Sequence, residues 1–197
     1  LSTEKFEEQL AGRMRNRHAF DSDMVYRIPV IVHVVHNGEP IGSGTNISQE
    51  QVMSQFDALN EDYRKIGAGH NEHPRGADIM IEFVPALVDP MGNLLEEPGI
   101  DRVFGYNAYY EYDPIELELK PNTIWNPDQY FNIWVLNLGG GMANTLGYAQ
   151  FPSLSDLDGL PDDAFAQTDG IVIGHRYFGR TENVSAPFNL GRTATHE

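Results

Sequence analysis

Apolar residues recur along this chain in two different periods, and the change of period marks its elements. RIPVIVHVVH, 27–36, is almost continuously apolar and β-branched. Such a run predicts a strand buried on both faces, as in the middle of a helix-covered sheet. In NISQEQVMSQFDALNEDYRK, 46–65, the period lengthens. Ser48 and Gln51 make a capping box at a helix start, and Val52, Phe56, Leu59 and Tyr63 then share one face. ADIMIEFVPALVD, 77–89, alternates from Ile79 and predicts a second strand, which Pro85 either weakens or places near an edge.

GIDRVF, 99–104, reads as a short third strand. Residues 105–129 carry Pro114, Pro121 and Pro127 and read as irregular. YFNIWVLNL, 130–138, is strongly apolar, and the glycines of 139–141 read as a turn after it. TLGYAQFP, 145–152, mixes polar and aromatic residues like an edge strand, and DGIVIGH, 169–175, is the last strand expected. Asn189 is the expected N-cap of a terminal helix. At the other end, Phe6, Leu10 and Met14 repeat every four residues among charges, so 3–20 reads as a polar helix lying on the main domain. The order indicates α/β or α+β with a mixed sheet. Two units are expected, an N-terminal arm or pro-segment remnant at 1–24 and one domain over 25–197.

Composition narrows the function classes. The chain has 41% hydrophobic residues, enough for a sizeable core. Its net charge of −16 argues against nucleic acid and against an anionic membrane surface, since both select Lys and Arg. It suits a protein that meets calcium. No apolar run approaches the roughly 20 residues of a membrane helix. No cysteine is present, so neither disulfides nor thiolate metal sites hold this sequence together. The first residue is Leu, which fits a processed or trimmed product.

The chain has seven histidines. His33 and His36 lie three apart on a strand, point to opposite faces, and read as structural. His175 reads the same way, and His18 as a surface residue. His70 and His73 read as solvated loop residues, with a weak metal site as the alternative. The loop bearing Asp156, Asp158, Asp162, Asp163 and Asp169 reads as solvated, with calcium binding as the alternative. No serine-hydrolase elbow or phosphate loop occurs. The chain closes on GRTATHE, whose His196-Glu197 pair carries little information alone.

Four stretches taken in order resemble the pappalysin-type metzincins, of the bacterial cytophagalysin and archaeal ulilysin kind. They are RIPVIVHVVHNGEP with its following helix, YFNIWVLNLGGG with LGYAQFP, TDGIVI, and GRTATHE. In that family the last stretch continues as His-Glu-x-x-His-x-x-Gly-x-x-His. The resemblance implies the upper subdomain of a secreted zinc endopeptidase. Its sheet would be twisted, mixed and five-stranded, with one antiparallel edge strand, a backing helix and the start of the active-site helix. His196 would be the first zinc ligand, and Glu197 the general base acting on metal-activated water. Leu146, Gly147, Tyr148 and Ala149 would bind a peptide or protein substrate by strand addition. The other zinc ligands and the Met-turn do not occur in these 197 residues. The expectation is a chain inactive without a C-terminal half; the alternative is a non-catalytic peptide-binding or scaffold domain using the edge strand 145–150.

Overall fold

The computed structural model describes residues 24–67, 72–150 and 165–197. The expected arm helix at 3–20, His70, and the acidic positions 156–163 lie outside these residues. Strand β1, Tyr26–His36, runs through the middle, with Val30 to Val35 buried on both faces. Helix α1, Gln49–Arg64, starts where the capping box placed it: the Ser48 side chain accepts from the Gln51 backbone N–H. The remaining strands are β2, Ile81–Pro85, β3, Ile100–Phe104, β4, Phe131–Leu136, β5, Gly147–Ala149, and β6, Ile171–Gly174.

The sheet order is β2-β1-β4-β6-β5, with β3 also paired to β1. All pairings are parallel except β5 with β6. The expected sheet of five strands becomes six for a simple reason. β1 is eleven residues long; β2 pairs with its first half, from Tyr26 to Val30, and β3 with its second half, from Val32 to His36. The two short strands thus share one position, and Pro85 ends β2 on the outer edge, where a missing N–H costs no ladder bond.

Side-chain alternation divides the core. Val30, Val32, Val34, Ile133, Val135, Ile171 and Ile173 face α1, against Val52, Phe56 and Leu59. Val35, Trp134, Leu136 and Val172 face the opposite way, against Tyr110 and Ile115. That second face is covered by a helical run the sequence left irregular. Helix α2, 112–123, is α-helical at Tyr112–Pro114 and Lys120–Thr123, with a π-helical turn, Ile115–Leu119, between. Its prolines do not break it. Pro114 falls in the first turn, where no N–H is needed, and the wider π turn, closed by Lys120 N–H on the Ile115 carbonyl, absorbs the place where Pro121 would clash.

Two other boundaries moved. The second strand begins at Ile81 rather than near Ala77, because Met80 takes a left-handed backbone (φ 59°) and Asp78 turns aside to pair with Arg64 at 3.1 Å. The terminal helix α3, Arg192–His196, is capped by Gly191 and not by Asn189. Among the histidines, His33 is structural as read: it is fully buried, stacked on Trp134 at 5.1 Å, and bonded to Asp101 at 2.8 Å and Asn132 at 2.9 Å. His73 is exposed, and its Nδ1 accepts from the Arg75 N–H at 3.2 Å.

Candidate active site

Helix α3 is placed by α1, through polar residues set into an otherwise apolar surface. Gln55 is buried and bonds twice: its amide donates to the Gly191 carbonyl at 2.7 Å and its oxygen accepts from Gly179 N–H at 2.9 Å. Gln51, also buried, donates to the carbonyls of His175 at 3.1 Å and Phe178 at 2.9 Å. Asp62 holds the helix itself, accepting from the Thr195 hydroxyl at 2.9 Å and pairing with Arg192 at 3.1 Å. Gly191 is required at the junction. Its φ is 72°, and a Cβ there would lie 2.6 Å from the Cβ of Ala58. The chain therefore enters α3 directly against α1, with Thr193 and Ala194 turned into the core.

This clamp was missed in the sequence, although a signal was present: Gln51 and Gln55 occupy positions beside Val52 and Phe56 on the helix face that reads as core. Gln55→Ala is expected to strand the Gly191 carbonyl and the Gly179 N–H. The cost is about 1–3 kcal/mol per stranded group, read in a denaturant melt. A variant as stable as the parent would show that the clamp does not hold α3.

At the end of α3, His196 is exposed and Glu197 is half-buried, with its N–H bonded to the Thr193 carbonyl at 3.2 Å. Burial raises the Glu197 carboxyl above its ordinary value, against the lowering effect of His196. Glu197 faces β5: a Cβ on Gly147 would sit 3.4 Å from Glu197 Cγ. Leu146, His196 and Glu197 line one cleft of about 240 Å³ together with Phe188 and Leu190. A second cavity, of about 550 Å³, is lined by Glu197 with Tyr63, Phe83, Phe131 and Ile171.

Leu146, Gly147, Tyr148 and Ala149 form the edge strand and the residue before it. Leu146 accepts from Gly174 N–H at 2.9 Å, and Gly147, Tyr148 and Ala149 pair with Ile173, Val172 and Ile171. Among the described residues no strand pairs with the outer side of β5. His196 and Glu197 are thus brought beside β5. Among the described residues, no three of His, Cys, Asp and Glu come together to hold a metal.

This arrangement has counterparts. Mature mirolysin of Tannerella forsythia, solved in complex with a cleaved peptide, is 36% identical and superposes with a TM-score of 0.71 over 89% of this chain. The chain has the fold of a pappalysin-type metzincin. Promirolysin of the same organism, solved as a mutant, is 33% identical over 97% of the chain with a TM-score of 0.73. Mirolysin in complex with a compound designated 9 is 36% identical, with a TM-score of 0.69. This chain spans 62% of the length of mature mirolysin and 60% of promirolysin. No family model and no curated protein matches it. In this metzincin fold the antiparallel β5 and the helix α3 are the two elements that meet at Glu197.

Proposed function

We propose that the chain is the N-terminal part of a secreted, zinc-dependent endopeptidase. The observation that carries this reading is that His196 and Glu197, at the end of α3, share one cleft with Leu146, the residue just before the edge strand β5. Its support is the sequence identity and fold shared with mirolysin.

The donor set present fits one zinc position and no more. His196 offers one imidazole, and a catalytic zinc takes three protein ligands. The remaining ligands are assigned to sequence that follows Glu197, which is the C-terminal half expected as a partner. Zinc, when bound, supplies Lewis acidity toward water and the scissile carbonyl. The chain's own residues supply the rest. β5 pairs with an extended peptide and fixes its carbonyl against the cleft. Glu197 takes a proton from the attacking water and returns it to the leaving amine.

The test is zinc analysis with a peptide-cleavage assay on the full-length protein. One zinc per chain and endopeptidase activity are expected, both lost in His196→Ala. Peptide binding without zinc or cleavage would replace this reading by a non-catalytic domain that binds through β5.

A further inference from the structure

Strand β5 has three residues and, among the described residues, lies at the end of the sheet and pairs only with β6. Something else must fix its position. Tyr148 leaves the sheet on the face opposite Glu197 and joins the side of the core that holds Trp134. Its ring packs on Tyr112 at 5.5 Å, and its hydroxyl donates to Glu116 Oε1 at 2.7 Å. The same oxygen lies 2.6 Å from Lys120 Nζ. Lys120 is fully buried, with its ammonium 5.3 Å from the Trp134 ring centre and 5.0 Å from that of Tyr148. A continuous set of contacts therefore runs from the rim strand, through α2, to the central strand β4.

The neighbours of Tyr148 face the other way. Leu146 and Gly174 are a hydrogen-bonded pair, since Gly174 N–H donates to Leu146. Antiparallel pairs alternate between bonded and unbonded, so Gly147 and Ala149 direct their N–H and C=O away from β6. These are the groups an added strand would use. Anchoring Tyr148 holds the residue between them.

We propose that Tyr148 is a positioning residue: through Glu116 and Lys120 it fixes the height and register of β5, so that Gly147 and Ala149 are preset for an extended peptide. The proposal rests on the peptidase reading for the peptide being a substrate; the tie itself does not. An anchored edge accepts a peptide without first ordering its own backbone, so the gain falls on binding.

Tyr148→Phe tests this, because it keeps the ring, the Tyr112 contact and the cation beneath, and removes only the hydroxyl. Two readouts are needed. In hydrogen exchange, the Gly174 amide should exchange about tenfold faster, as loss of a hydrogen bond to a carboxylate implies. The amides of Val32 and Val135, in the sheet centre, should keep their rates. Unchanged exchange at Gly174, or equal acceleration through the whole sheet, would overturn the proposal. In peptide cleavage by the full-length protein, the loss should fall on KM, about tenfold, and not on kcat. A lowered kcat at constant KM would overturn the preset edge. Should the parent protein cleave nothing, the peptidase reading fails, and the exchange result alone decides the tie.

Discussion

Glu197→Gln in the full-length protein is expected to lower kcat/KM for peptide cleavage about 100- to 10,000-fold, the range typical of a lost general acid–base group. The amide fills nearly the same volume and cannot take a proton. Zinc content should stay at the parental value, because the imidazole of His196 is untouched. The loss should appear in kcat, since the substitution leaves the proposed peptide-binding strand β5 unchanged. The paired measurements are metal analysis and steady-state kinetics on the same preparation. Retained activity would remove Glu197 from the chemistry. Lost zinc would make it a support for the metal rather than the base.

The second large effect is on stability. Glu116→Ala is expected to destabilise the fold by about 3–5 kcal/mol, the usual cost of leaving a buried charge unpaired. The Lys120 side chain is fully buried and that of Glu116 is 14% exposed, so water cannot replace the carboxylate. Burial pushes the Lys120 ammonium toward its neutral form, and Glu116 with Asp169 opposes this. Without Glu116, folding would require the amine to stay charged and unpaired or to give up its proton. In a chain of this size the loss corresponds to a melting temperature lower by on the order of 10 °C. Replacing both partners by apolar residues, Glu116→Leu with Lys120→Met, should recover most of it, because no charge is then buried. The Trp134 packing survives that exchange. If the double variant melts as low as Glu116→Ala, the cost lies in packing and not in the stranded charge.

Much of the fold was legible because it depends on local pattern. The unbroken apolar run of β1 needs both faces covered, and the four-residue spacing in α1 needs one face covered; neither demand refers to distant residues. Pro85 announced an edge for the same reason. Helix α2 was not legible. Pro114 and Pro121 read as breakers, and only the sheet face beneath the helix, carrying Trp134 and Val172, makes a π-turned helix worth forming. Gly191 displaced Asn189 as the cap because the junction must fit against Ala58, a contact 133 positions away in sequence.

The candidate site divides in the same way. By itself the sequence determined which residue types are available: the His196-Glu197 pair, an edge strand at 145–150, and a resemblance that orders them into one family. The pair and the strand are read from the chain alone; their joint role is what the family resemblance implies. The tertiary structure decided that Glu197 and Gly147 meet, that Tyr148 turns from the cleft to an ion pair, and that Gln55 and Asp62 set the angle of α3. The physical reason is that burial and hydrogen-bond partnership are relations between distant segments. A buried Lys, Gln or His is costly until its partner arrives, and that partner exists only once the sheet has formed.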